Sequence, residues 1–339
     1  MDNIRLNKVI LHILDNNQQL PVLSAGELEL EADTADFLEK HLSRLWGDGE
    51  LKDARFNPED NPAYQLCFQL SQDQGLFVET SLQLSKLLFE IMEQNPAIPA
   101  GDVVFVLFEV EDVGYFAMLK LNYRHSYIHF VANQGESNVN QLIKQRTTLP
   151  GDTQKVDEAF LLRLADGALK VLEKKYEICA EKEFYLSKYF LKCQSDLSYS
   201  EKIKILDKSV SVIARKHQTE DYDKVAKLRT CLAENLEETR EIKVEQVADA
   251  VFGGNSAFKA EYLEEVQKAG LVEETVPVPE ATTANKKFRT QKLKTDSGIE
   301  INFPSHAYNN TDVMEFINNP DGTISILIKN INKVKAVRN

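Results

Sequence analysis

The stretch from Gly101 to Phe130, GDVVFVLFEVEDVGYFAMLKLNYRHSYIHF, constrains the fold more than any other part of the chain. Val103 to Phe108 is an unbroken apolar run, rich in β-branched and aromatic residues. It is too short for a bilayer helix and suited to a buried strand. Glu109 to Gly114 then reads as a turn, Tyr115 to Leu121 as a second strand, and Asn122 to Ser126 as the next reversal. Strands joined by such short turns pair antiparallel, because a parallel pairing needs a crossover of about a dozen residues or more. The expected fold class is therefore α+β: an antiparallel sheet with helices packed on it.

At 339 residues and 43% hydrophobic the chain can bury a sizeable core. Single cores stop growing near roughly 250–300 residues, so two domains are expected. The period of the apolar residues places an α+β domain with an antiparallel sheet over 1–178 and a second part over 179–339. The second part reads as a helical region (about 180–270) with a C-terminal β-subdomain (about 286–330) and a basic tail. No apolar run approaches the roughly 20 residues of a membrane span, and no basic segment with a long apolar one opens the chain; the reading is cytoplasmic, with no membrane partner. Cys67, Cys179, Cys193 and Cys231 lie far apart without a CxxC pair, which suits reduced thiols rather than a zinc site or disulfide framework. No cofactor is implied.

Along the chain, Ile4 to Leu14 favours a strand over a short helix, with Leu20 to Leu30 as its hairpin partner. A helix follows, capped at Thr34 and carrying Phe37, Leu38, His41, Leu42 and Leu45 on one face, where His41 reads as a packed core edge. Asp48 to Pro62 reads as a loop, Tyr64 to Leu70 as a strand, and Ser81 to Glu93 as a helix stopped by Asn95-Pro96. Asp166-Gly167 joins strands at Ala159 to Leu164 and Leu169 to Ile178 as a tight turn. Helical spacing runs from Glu181, and two shorter helices, Val244 to Phe252 and Ser256 to Lys268, flank Gly253-Gly254-Asn255. Strands return at Lys286 to Leu293, Gly298 to Phe303, Val313 to Ile317 and Thr323 to Ile328, the last two joined by Asn319-Pro320-Asp321-Gly322.

The net charge of −13 excludes a uniformly cationic DNA-coating protein, since neutralising phosphates requires Lys and Arg facing the duplex. Its distribution matters more. Residues 285–339 hold nine basic against five acidic side chains, leaving −17 for everything before them. Lys286, Lys287, Arg289, Lys292 and Lys294 form one basic run, interleaved with Phe288 and hydroxyls; Lys329, Lys333, Lys335 and Arg338 form the tail. These nine are the phosphate-contacting candidates.

Two further patterns carry weaker alternatives. His125 and His129 with Tyr123 and Tyr127 would share one strand face able to stack bases or bind a metal, against the plain reading of a half-exposed aromatic face. The helices around Gly253-Gly254 outline a helix-turn-helix, yet Ser256 to Lys268 has a net charge of −1 on the helix that should meet phosphates. No P-loop, GxGxxG, GxSxG, HExxH or EF-hand loop occurs, and no catalytic residue is assigned. The abundant carboxylates leave a metal-dependent nuclease as a remote alternative.

The run Phe105-Val106-Leu107-Phe108, the segment Ser187 to Cys193 leading to Leu197 to Lys202, and Gly298 to Phe303 followed by Asp321-Gly322-Thr323-Ile324 resemble the bacterial nucleoid-associated protein family NdpA, over nearly the whole length. The resemblance implies a cytoplasmic protein that co-localises with the chromosome and binds DNA, without an established reaction. Charge asymmetry then suggests sequence-tolerant contacts by the cationic C-terminal third. The rival expectation is an acidic surface that docks on a DNA-bound protein partner or mimics DNA. Oligomeric state and base preference are not encoded in any recognisable pattern.

Overall fold

The computed structural model describes residues 4–134, 137–218, 221–279, 288–333 and 335. Lys286, Lys287 and Arg338 lie outside them. The chain forms two compact units, one of residues 1–46 and 51–196, the other of 47–50 and 197–339.

In the first unit the described elements run β1 (Ile4–Leu14), α1 (Ala32–Trp46), β2 (Lys52–Phe56), α2 (Pro62–Gln72), α3 (Phe77–Gln94), β3 (Gly101–Val110), β4 (Val113–Asn122), β5 (Arg124–Gln134), β6 (Ser137–Thr148), β7 (Glu158–Arg163), β8 (Leu169–Leu172), β9 (Lys175–Ile178), β10 (Glu181–Phe184) and β11 (Cys193–Ser195). Seven strands make one sheet in the order β1-β3-β4-β7-β8-β2-β11, every neighbouring pair antiparallel. The unbroken apolar run of β3 is explained by cover on both faces. Val103, Phe105 and Leu107 meet the Leu84, Leu88 and Met92 stripe of α3. Val104, Val106 and Phe108 meet Leu38, Leu42 and Leu45 of α1. A strand buried on both sides loses the polar alternation that a one-sided sheet keeps.

Several sequence expectations change. Tyr64 to Leu70 is helical, within α2: Asn61 accepts the Tyr64 backbone N–H, Pro62 opens the first turn, and Ala63, Cys67 and Leu70 fall inward. Asn-Pro was the signal, and it outweighs the local apolar content. β2 lies within the expected loop at 48–62. β1 pairs with β3 rather than with Leu20 to Leu30, which forms no ladder with it and meets it through an Ile13–Val22 bridge, a Leu28 N–H bond to Val9 and Ser24 bonds to His12 and Leu11. β5 leaves the sheet and pairs with β6, and β7 takes the place beside β4. The expected Asp166-Gly167 turn is present, Gly167 taking φ 72°. Helix does not begin at Glu181, where β10 completes a hairpin with β9.

In the second unit α4 (Tyr199–Lys216) starts from a Ser198–Glu201 capping box, followed by α5 (Asp221–Glu238), β12 (Glu241–Lys243), α6 (Val244–Phe252), α7 (Ser256–Lys268) and β13 (Thr275–Pro277). Leu206, Val210, Leu228, Leu232, Val247 and Tyr262 are among the residues of their shared core. Two hairpins complete the unit, β14 (Thr290–Lys294) with β15 (Glu300–Pro304) and β16 (Met314–Asn318) with β17 (Ile324–Ile328). They pack round Phe303, Tyr308 and Met314, with Ala226 from α5. The Asn319 to Gly322 turn is as expected, with Gly322 at φ 83°.

Candidate nucleic-acid interface

Alternation along β14 sorts its side chains. Gln291 and Leu293 turn inward: Gln291 donates to the Ala226 carbonyl at 3.2 Å and to Thr230 Oγ1 at 3.2 Å, and Leu293 joins the small hairpin core. Lys292 and Lys294 therefore share the outer face, where Glu300 of β15 reaches both, at 2.6 Å and 4.0 Å. Lys329 pairs with Glu315 on β16. Arg289 lines a cavity of about 210 Å³ with Ser305, His306 and Glu234, and makes no ion pair among the described residues. Lys333 and Lys335 are exposed beyond β17. The structure thus brings Lys292 and Lys294 together and sets Lys329 on the other hairpin, each beside a carboxylate. Such exposed pairs contribute about 0–1 kcal/mol, so a phosphate can displace them.

The sequence reading missed a second cationic surface. β5 and β6 form a two-stranded ribbon whose ladder spans Arg124 to Gln134, roughly 36 Å at about 3.3 Å per residue. Cross-strand pairs Tyr127–Lys144, His129–Leu142 and Val131–Asn140 define one face, which Arg146 shares by alternation. Ile128, Phe130, Val139 and Ile143 define the other. Both are open to solvent: Tyr127 is 67% exposed on the first and Phe130 49% on the second. The available signal was an absence. From Arg124 to Thr148 Glu136 is the lone acid, in a chain with 53 Asp and Glu. The expected Tyr/His face is only partly assembled. Tyr123 precedes the strand and donates to Asp102 at 2.7 Å, whereas His125, Tyr127 and His129 alternate along β5; the bulge opposite His125 puts its extra residue on β6.

The ribbon's root is fixed by buried charge. Lys120 and Glu158, both fully buried, pair at 3.0 Å, and Lys120 also donates to the Pro99 carbonyl at 2.8 Å and to Asn122. Burial pushes the Lys120 ammonium below its ordinary value, opposed by the Glu158 charge. Asp157 receives Arg124 at 3.0 Å, Lys174 at 2.6 Å and Asn122 at 3.2 Å. Burial pushes its carboxyl up, and these hydrogen bonds and cations outweigh it, so the group sits below the carboxylate range. The first residue of β5 is thereby tied to the strand that enters the central sheet.

α7 offers no free cation. Lys259 pairs with Glu245 and Asp249, and Lys268 with Glu264. Among the described residues no three His, Cys, Asp or Glu side chains gather as a metal site, and no described helix is long and apolar enough to cross a membrane.

The family model described as nucleoid-associated protein YejK matches residues 10–335. No curated protein matches the chain.

Proposed function

The chain belongs to the nucleoid-associated protein YejK family, and from that membership we propose that it acts on the chromosome by binding DNA itself, through sequence-tolerant contacts to phosphates. The reading assigns the contacts to Lys286, Lys287, Arg289, Lys292 and Lys294, helped by Lys329, Lys333, Lys335 and Arg338. The observation that carries it is the segregation of charge: a chain of net −13 gathers nine cations against five acids in residues 285–339. Phosphate contacts release condensed counterions and give affinity without base readout, which suits a protein spread over a nucleoid. The role is one of binding rather than catalysis, in the cytoplasm.

A duplex titration with purified full-length protein tests this. Binding at micromolar protein or below in low salt, falling linearly on a log–log salt plot, is expected. Replacing Lys286, Lys287 and Arg289 by Gln should make the slope shallower by about 0.9 for each phosphate no longer neutralised. No duplex affinity at low salt would leave the acidic body, docked on a DNA-bound partner, as the functional surface. Plasmid cleavage that requires Mg²⁺ would point instead to a nuclease.

A further inference from the structure

We propose that the β5–β6 ribbon is a second DNA-contacting element, its Lys144 and Arg146 face lying along the duplex backbone. The proposal rests on the reading that the protein binds DNA, and it moves part of the contact away from the C-terminal segment.

Three observations carry it. First, charge: Lys144 and Arg146 are exposed and make no ion pair among the described residues, whereas Lys292, Lys294 and Lys329 each sit beside a glutamate. No carboxylate occurs among the ribbon's described residues, so nothing on either strand competes with a phosphate for those two cations. Second, chemistry: the same face carries Tyr127, His129 and Asn140, groups that hydrogen-bond phosphate and sugar oxygens or lie against a sugar. Third, shape: a two-stranded ribbon is narrow enough for the major groove, about 12 Å wide, and roughly 36 Å of ladder spans about one helical turn of duplex. An isolated two-stranded ribbon is marginally stable in water, so a ligand along it adds order that its own pairing does not supply. The buried Lys120–Glu158 pair and the Arg124–Asp157 bond tie its first residue to the strands of the central sheet.

The test compares full-length wild type, Lys144→Gln/Arg146→Gln and Lys144→Arg. Lys170→Gln, which removes a cation already paired with Asp53 at 2.7 Å, serves as the control. Duplex affinity is measured across a salt series, with mass by light scattering and thermal unfolding alongside. The expected result is a log–log slope shallower by about 1.8 in the double variant, two phosphates at about 0.9 each, with mass and unfolding midpoint unchanged. Lys144→Arg and Lys170→Gln should keep the wild-type slope. Binding with an unaltered slope in the double variant overturns the ribbon's role and leaves C-terminal DNA binding standing. A shallower slope accompanied by a change in mass also overturns it, because the ribbon then acts through association of a second copy. If wild type shows no duplex affinity at all, both readings fall together.

Discussion

The ribbon β5–β6 and the C-terminal hairpins β14–β15 and β16–β17 all carry candidate phosphate-contacting cations, and they hold them differently. On the hairpins Glu300 and Glu315 lie within ion-pair reach of Lys292, Lys294 and Lys329. On the ribbon Lys144 and Arg146 stand free among the described residues, and the carboxylates are withdrawn to the root, where Asp157 and Glu158 hold Arg124 and Lys120. Counting charges along a sequence gives the hairpins the advantage. Counting charges left over after local pairing moves it toward the ribbon. The difference teaches that a net charge per segment overstates what a ligand can reach whenever strand pairing sets a lysine opposite a glutamate.

The largest effect sharpens the ribbon's side of the comparison. Lys120→Met leaves Glu158 charged and buried, which should cost about 3–5 kcal/mol, whereas Lys120→Met with Glu158→Leu should recover most of that stability. Urea unfolding of both variants measures it, and a small cost for the single variant would show that the root is not organised by this pair.

Next in size is a pH effect of the sheet to which the ribbon is rooted. His12 is buried with Nδ1 accepting the Ser24 backbone N–H at 3.1 Å, so Nε2 is the donor to Ser81 Oγ at 3.0 Å. Burial lowers its pKa from 6.5 to about 4. The folded state therefore resists a proton that the unfolded chain accepts. Stability is fully present above pH 6.5 and should be lost progressively toward pH 4, by about 3 kcal/mol at 1.36 kcal/mol per unit. His12→Gln should remove that portion of the pH dependence. Unfolding curves that coincide for the two proteins between those pH values would contradict it.

The smallest effect on the fold addresses the hairpins directly. Glu300→Gln frees Lys292 and Lys294 at a stability change below about 1 kcal/mol, since the pair is exposed. Duplex affinity should rise several-fold at low salt, and the salt plot should steepen by up to about one unit. Unchanged binding would mean that this face does not meet DNA.

How much was legible in the residues follows from how local each signal is. The central strands were readable because six consecutive apolar residues, Val103 to Phe108, allow little but a doubly covered strand. The Asp166-Gly167 and Asn319 to Gly322 turns were readable because a positive φ needs glycine or its few substitutes. The α2 helix reads locally as a strand because its cap, Asn61-Pro62, sits inside a stretch whose composition is that of a loop. Pairing of β1 with β3 was hidden, since a partner about ninety residues away leaves no trace in local pattern. The candidate site was legible as a set of cations and not as a surface. Lys144 and Arg146 were overlooked because two cations among glutamines and threonines make no run, and their significance lies in the missing acids around them.

The most direct measurement is the affinity of the full-length protein for a duplex of arbitrary sequence between about 50 and 200 mM salt. Binding that weakens linearly on logarithmic axes, by about a thousandfold for six phosphate contacts, and does so alike for unrelated sequences, is what the account predicts. Affinity that ignores salt, or no affinity at the lowest salt, would contradict the claim that an acidic chain holds DNA through segregated cations.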